Sequence, residues 1–371
     1  MKILQVINDL SSGGAQKLLA DFVPLMKSQG HEIEVLLIRT QDSIYIDELR
    51  VKEIIVNNFS INNLYGLFNI FKLQNYIKKG KFDIVHVHLF PSLYFAGIAS
   101  LLGYGSTRLV YTEHNTYNRR REIFIFKYID RFIYNQYDRV IAITPDVKKA
   151  LSEHLKCNDR SIDIINNGIV IERFRTSSSI DLSEIIQDYQ EQDKIVCMVG
   201  RFSEAKDQPT LIRAISLLPK NVKLLLIGEG PLEKNCISLS KELNIQDRVH
   251  FLGLRKDIPE ILKACEIGVL SSNWEGMPLF ALEVFATGIP FIGSNVPGIA
   301  DLFIAQPSSE LILFNNKNSF DLSQLISLIL KDELAKRRNI EICSKIVGAF
   351  SIENMTNAHL DLYRQLQFLN R

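Results

Sequence analysis

Short apolar runs rich in Ile, Val and Leu alternate with stretches of helical spacing from the first residues onward. KILQVI at 2–7 reads as a strand, the following Ser-Ser-Gly-Gly breaks it, and Leu18, Leu19, Phe22, Val23 and Met26 recur at helical intervals. EIEVLLI, VKEIIVNN, FDIVHVHLF, RLVYTEH and DRVIAIT continue the series of strands. Nearly continuous Ile/Val/Leu strands separated by helices predict a parallel sheet covered on both faces. The pattern lapses between Phe174 and Lys194, a polar segment with three consecutive serines and no strand. It resumes with KIVCMVG, VKLLLIG, VHFLG, EIGVLSS and PFIG, a second β/α sheet. The expected division is a first domain over 1–175, a connection over 176–193 and a second domain over 194–350. A terminal amphipathic helix over 351–371 is expected to pack back on the first domain. The fold class is α/β, with two facing, doubly wound, Rossmann-like domains. Their cleft lies at the carboxyl ends of both sheets, where such sheets bind ligands.

The length of 371 residues suits two domains, and 46% hydrophobic against 23% charged residues leaves material for two packed cores. A formal net charge of +1 argues against a protein that grips a nucleic-acid backbone. Five scattered cysteines without a C-x-x-C pair argue against a disulfide framework or a zinc knuckle and fit a reducing cytosol. The longest apolar stretch, Leu89 to Gly103, contains Pro91 and falls short of the roughly 18–20 residues that cross a bilayer. The start lacks the apolar core of a signal peptide. These features predict a cytoplasmic protein that can touch a membrane from the inside.

Three loops at predicted strand ends carry the candidate chemistry. Ser11-Ser12-Gly13-Gly14 opens the first helix, and its glycines let backbone N–H groups approach a phosphate, although a plain tight turn has the same composition. Gly200-Arg201-Phe202-Ser203-Glu204-Ala205-Lys206 follows the second domain's first strand and can turn two cations toward a diphosphate. Ser271 to Glu283 follows the strand EIGVL, holds the only tryptophan, Trp274, and opens a helix. There Glu275 and Glu283 can accept hydrogen bonds from sugar hydroxyls, and Gly276-Met277-Pro278-Leu279 bring backbone N–H groups to a helix N-terminus.

E-G-M-P-L-x-x-x-E resembles the E-x7-E motif of retaining nucleotide-sugar glycosyltransferases of glycosyltransferase family 4, which have the two-domain GT-B fold. Other landmarks stand in the order of that family: Gly13-Gly14, Thr112-Glu113-His114, Asn167-Gly168-Ile169, Gly200-Arg201 with Lys206, and Gly228-Glu229-Gly230-Pro231. The resemblance implies that Arg201 and Lys206 hold the donor diphosphate and that Glu275 binds donor-sugar hydroxyls. It implies that the backbone of Gly276 to Leu279 lines sugar and phosphate and that Glu283 holds the ribose hydroxyls. The nucleobase is expected near the Gly253-Leu254 turn, with Gly13, Gly14, Gly200 and Glu229 also on the donor side, and His114 at the C6 hydroxyl. Family members often carry Asp after N-G-[IV], where this chain has Val170.

The implied reaction moves a sugar, with retention, from a nucleotide sugar to a hydroxyl of a lipid-linked surface glycan or another oligosaccharide acceptor, as in O-antigen or capsule synthesis. A UDP-sugar is the favoured cosubstrate, with no metal and no other cofactor. His86 and His88 alternate on one strand without a carboxylate cluster and read as cleft or core histidines rather than metal ligands. Arg119-Arg120-Arg121 with the aromatic run to Phe132 reads either as a loop entering a core helix or as a contact with an anionic membrane surface. A Rossmann dehydrogenase would need G-x-G-x-x-G and an acid ending strand two, and both are missing. A GT-B sugar-nucleotide epimerase lacks the Glu-Gly-Met-Pro-Leu arrangement, and a non-catalytic sugar-nucleotide sensor would have lost the cleft residues.

Overall fold

A computed structural model describes residues 1–11, 13–39, 43–59, 64–115, 118–156, 162–304 and 309–368. They form two units, Met1–Gly168 together with Ile352–Arg371, and Ile169–Ser351.

The first unit alternates strands and helices in chain order: β1 (Lys2–Ile7), α1 (Gly14–Ser28), β2 (Glu32–Leu37), α2 (Ile44–Val51), β3 (Ile55–Asn58), α3 (Phe68–Gly80), β4 (Ile84–His88), α4 (Ser92–Ser100), β5 (Arg108–Glu113), α5 (Phe124–Tyr134), β6 (Arg139–Ala142), α6 (Pro145–Leu155) and β7 (Ile162–Ile164). The strands make one seven-stranded parallel sheet in the order β3-β2-β1-β4-β5-β6-β7. The order reverses between β1 and β4, so the chain winds outward in both directions from that point. Every residue of β4 is buried, as its unbroken IVHVH run requires of a central parallel strand. The apolar stretch from Leu89 becomes α4, which ends after only nine residues. Among the described residues no helix is long and apolar enough to cross a membrane.

The second unit opens with α7 (Ile171–Arg175) and continues with β8 (Lys194–Val199), α8 (Gln208–Ser216), β9 (Val222–Ile227), α9 (Glu233–Glu242), β10 (Val249–Phe251), α10 (Ile258–Lys263), β11 (Ile267–Leu270), α11 (Leu279–Thr287), β12 (Phe291–Ser294), β13 (Leu313–Phe314), α12 (Ser319–Lys331) and α13 (Glu333–Val347). Six parallel strands lie in the order β10-β9-β8-β11-β12-β13, reversing between β8 and β11. The polar segment expected to connect two domains belongs to this unit. Phe174, Leu182 and Ile186 are buried in its core, and Asp193 pairs with Lys223 of β9 at 2.8 Å, both side chains buried. Hydrophobic spacing hid this because only isolated apolar residues of the segment turn inward. The N-terminal part of the first unit therefore ends at Gly168, where the sequence suggested residue 175.

The last helix, α14 (Ile352–Phe368), returns to the first unit and packs against α1. It buries Met355, Leu360, Leu362, Tyr363 and Leu366 along one face, the stripe its apolar spacing predicts.

Helix ends follow local chemistry. Thr144 accepts from Val147 N–H at 3.2 Å with Pro145 in the first turn of α6, and Asp332 accepts from Leu334 and Ala335 N–H at the start of α13. Val170 occupies the same capping position before α7 and offers no side-chain acceptor. That gives a physical reason for an aspartate after Asn-Gly-Ile. Replacing Val170 by Asp is expected to stabilise the chain by about 1 kcal/mol, typical of a gained N-cap. Denaturant unfolding should show a raised midpoint with unchanged slope.

Candidate functional site

In the second unit the strand order reverses between β8 and β11, and the loops after those two strands flank the position where sheets of this kind bind ligands. Those loops are stitched together. Asn273 N–H donates to the Ala205 carbonyl at 2.7 Å and its side-chain amide to the Glu204 carbonyl at 2.7 Å, while Ser271 Oγ donates to the Asp207 carbonyl at 2.9 Å. Across this seam Lys206 Nζ meets Glu275 Oε1 at 2.5 Å, and Ser272 Oγ donates to the same oxygen at 2.5 Å. Lys206 and Glu275 are 22% and 10% exposed, so the pair is largely but not fully withdrawn from water. Arg201 lies at the same strand end with its side chain exposed and without a partner among the described residues, while its carbonyl accepts from Gln208 Nε2 at 3.1 Å.

The glycines here are required by contact distance. A Cβ on Gly228, whose φ is 131°, would sit 2.4 Å from the Gly200 carbonyl oxygen, and one on Gly230 would sit 2.3 Å from that of Phe202. The Gly228-Glu229-Gly230 turn after β9 thus lies backbone to backbone on the loop after β8, with Phe202 N–H donating to the Glu229 carbonyl at 3.1 Å. The Gly253 carbonyl accepts from Gly228 N–H at 2.8 Å, which brings the Gly253-Leu254 turn to the same edge with Leu254 exposed.

Gly298, after β12, has φ 84° and would place a Cβ 2.5 Å from the Glu275 carbonyl oxygen, so this residue backs the glutamate. Sequence reading missed Gly298, and gave no role of its own to Ser272 within the Ser271–Glu283 loop. Gly298 falls within no recognisable motif, and only the fold brings it to Glu275.

The loop from Glu275 to Pro278 leads into α11, which is apolar nearly all round and buried from Phe280 to Thr287. Glu283 sits one turn inside it and is 4% exposed. Met277 and Leu279 are half-buried at its mouth. Sequence-predicted Gly200, Lys206, Glu229, Gly253, Glu275 and the Gly276–Leu279 segment therefore converge on one edge of one sheet.

The other candidates belong to the first unit. Gly13 and Gly14 begin α1; Ser12 lies outside the described residues. His114 follows β5, beside a glutamate that is thoroughly engaged: Glu113 accepts from Arg121 at 2.6 Å, from Tyr134 Oη at 2.7 Å and from Asn115 N–H at 3.1 Å. His114 Nε2 lies 3.2 Å from His88 Nδ1. Burial disfavours the imidazolium, holding His114 down to about 4 and His86 and His88 well below the ordinary value. His86 is bonded to Tyr363 and Thr112, and His88 to Gln5 and His114. Among the described residues no group of three or more His, Cys, Asp or Glu is placed to hold a metal ion.

The arginine run is structural where it is described. Arg120 pairs with fully buried Asp130 at 3.3 Å and lies over the rings of Phe90 and Tyr94, and Arg121 pairs with Glu113. Neither is free for a headgroup, and the Arg119 side chain lies outside the description.

Residues 12–173 match the model of Glycosyltransferase Family 4, and residues 181–344 that of Glycosyl transferases group 1. An Escherichia coli UDP-Gal:alpha-D-GlcNAc-diphosphoundecaprenol alpha-1,3-galactosyltransferase is 30% identical over 82% of this chain and 80% of its own. A Campylobacter jejuni N-acetylgalactosamine-N,N'-diacetylbacillosaminyl-diphospho-undecaprenol 4-alpha-N-acetylgalactosaminyltransferase is 24% identical over 89% and 90%. The crystal structure of Anabaena HepE with UDP-glucose, 22% identical, superposes with a TM-score of 0.84 over 98% of this chain and all of that one, which gives both units the GT-B fold. The two models between them take in nearly the whole chain on either side of the boundary between its units, and with the similarity to the Escherichia coli enzyme they establish that this glycosyltransferase belongs to glycosyltransferase family 4.

Proposed function

We propose that the chain transfers a sugar, with retention and without a metal, from a UDP-sugar to a hydroxyl of a lipid-linked surface glycan at the inner face of a membrane. The observation that carries this reading is the pairing of Lys206 with Glu275 at the strand-order reversal, with the exposed Arg201 at the same strand end. An ammonium already facing a carboxylate, with an exposed guanidinium at the same strand end, suits a ligand that bears both hydroxyls and a diphosphate. The names of the Escherichia coli and Campylobacter jejuni relatives, both with diphosphoundecaprenol-linked substrates, support the acceptor class. The HepE complexes with UDP and UDP-glucose support the donor.

In this proposal Arg201 and Lys206 hold the diphosphate, which Gly200 lets approach the backbone closely, together with backbone N–H groups of the Gly13-Gly14 turn. Glu275 and the Gly276–Leu279 backbone bind the sugar, and Glu283 the ribose. Glu229 and the Gly253-Leu254 turn flank the base, and His114 meets a sugar hydroxyl. Glu275 is engaged by Lys206 and Ser272, which suits hydroxyl binding more than nucleophilic attack. The acceptor hydroxyl therefore attacks the anomeric carbon on the face the diphosphate leaves. The bond to the phosphate oxygen breaks as the new glycosidic bond forms, and the acceptor's proton passes to the departing phosphate. Cations at that phosphate stabilise its charge as it develops.

A membrane surface fits the exposed side of the first unit. In α5 the buried positions include Asp130 and Tyr134, whereas Phe124, Ile125, Tyr128 and Phe132 are more than half exposed. The helix α3 exposes Phe68 and Phe71, and α4 touches both helices. The span 64–81 contains four lysines and no acidic residue, and Arg131 is exposed on α5. Apolar rings rimmed by cations match an anionic lipid surface.

Three outcomes test the proposal. Arg201→Ala is expected to lower turnover of a UDP-sugar by about 10²–10³ with the melting temperature little changed, and Lys206→Ala to lower it as much with some loss of stability, because it leaves Glu275 uncompensated. Wild-type turnover in both would refute the diphosphate assignment. Transfer is expected to survive excess EDTA; loss on chelation with recovery on adding Mg²⁺ or Mn²⁺ would refute the metal-free mechanism. The protein should co-sediment with phosphatidylglycerol vesicles, and Phe124→Ser with Phe132→Ser should weaken this at least about tenfold, since each ring withdrawn from lipid is worth about 1.5–3 kcal/mol. Equal binding by both proteins, or by neither, rules this face out.

A further inference from the structure

Polar side chains deep in the first unit form one connected hydrogen-bond system that ends at His114. Gln5 on β1 stands in register beside His86 on β4, and His88 two residues on stands beside Thr112 on β5. These central strands would be expected to bury only apolar groups, yet Gln5, His86, His88 and Thr112 are all buried. From α14 come Tyr363 and His359, the latter stacked on Phe22 of α1 with ring centroids 5.6 Å apart.

The partners dictate where each hydrogen sits. Gln5 Nε2 faces the Met26 thioether at 4.0 Å and Tyr363 Oη at 3.5 Å, and a thioether can only accept. Its amide oxygen therefore faces His88 Nε2, 2.9 Å away, and that nitrogen carries a hydrogen. Buried and neutral, His88 then has a bare Nδ1, so His114 must donate from Nε2 across 3.2 Å. His114 in turn is neutral and has no hydrogen on Nδ1, which makes no hydrogen bond among the described residues. The second branch obeys the same logic. Tyr363 Oη accepts from Gln5 and donates to His86 Nδ1 at 2.5 Å, leaving His86 Nε2 to donate to Thr112 Oγ1 at 2.7 Å.

We infer that Gln5 and His88 are positioning residues that fix His114 as the tautomer protonated on Nε2, so that its bare Nδ1 is the hydrogen-bond acceptor offered to a sugar hydroxyl. The consequence is a specificity rule. A hydroxyl has a hydrogen to give that nitrogen, whereas a deoxy carbon has none and a carboxylate would meet it lone pair to lone pair. Sugars with a free hydroxyl at that position are selected over their deoxy and uronic counterparts. That the sugar is the donor's, and the position C6, rests on the proposed function; the tautomer does not.

The test reads ring-nitrogen shifts in ¹⁵N-histidine-labelled protein, with His114 assigned by its loss in His114→Gln. Wild type is expected to show His114 protonated on Nε2 alone. His88→Leu should shift it to a tautomer mixture, and His88→Asn, which keeps an acceptor, should restore the wild-type pattern. Kinetics add the second readout. Wild type should favour a UDP-hexose over its 6-deoxy analogue, and His88→Leu should lower kcat/KM for the hexose on the order of tenfold and bring the ratio toward one. A hydrogen on Nδ1 of wild-type His114, unchanged shifts in His88→Leu, or an unchanged hexose-to-deoxyhexose ratio would each overturn the inference. Absence of turnover with every UDP-sugar would instead overturn the proposed function, with the ring shifts still deciding the tautomer.

Discussion

A lysine and a glutamate 2.5 Å apart, at the point where the second sheet reverses its strand order, constrain the whole of that edge. Partly withdrawn charges are costly unless paired, and removing one partner leaves the other uncompensated. The pair can persist only if the loops after β8 and β11 hold their register, which the Asn273 and Ser271 hydrogen bonds secure. Gly228 and Gly230 admit the neighbouring turn at distances no side chain would tolerate, and Gly298 supports Glu275 from behind. Each of these features has one effect: Lys206 and Glu275 are preorganised before any ligand arrives. Arg201 differs in being exposed and without a partner among the described residues.

Much of this was legible in the chain because parallel β/α units advertise themselves. KIVCMV, VKLLLI and IVHVH became the central strands β8, β9 and β4, and the loops that follow them contain the predicted glycines and charges. What escaped the sequence were relations between residues far apart in it. Gly298 touches the Glu275 backbone across more than twenty positions, and Gln5 reaches His88 across 83. The segment 176–193 resembled a linker because its inward residues, Leu182 and Ile186, are too few to form a period. Val170 was visible as an oddity, but only the start of α7 gives the position its meaning.

His86 and His88, read in the sequence as cleft or core histidines rather than metal ligands, lie buried on β4. Two histidines alternating on a strand suggest metal ligands, yet their nitrogens are taken by Tyr363, Thr112, Gln5 and His114. The strand alternation still matters, because it stacks both rings on one face with centroids 4.2 Å apart. Desolvation keeps such rings neutral, and neutral imidazoles have one donor and one acceptor each. A chain of them can therefore transmit a tautomer from a glutamine to a distant ring, which charged histidines could not do.

The helix α5 reverses the usual arrangement, and its interior explains how it can. Asp130 is fully buried, yet receives Arg120 at 3.3 Å, His154 Nε2 at 2.9 Å and the Tyr94 hydroxyl, so its oxygens are well supplied with donors. Tyr134 spends its hydroxyl on Glu113, which Arg121 also holds. An ordinary amphipathic helix is anchored by an apolar face; this one is anchored by Ile133 and the Tyr134 ring together with the polar groups of Asp130 and Tyr134, and leaves Phe124, Tyr128 and Phe132 outside. The arginines, which the sequence left open between a loop entering a core helix and a membrane contact, thus hold this helix from within through Asp130 and Glu113.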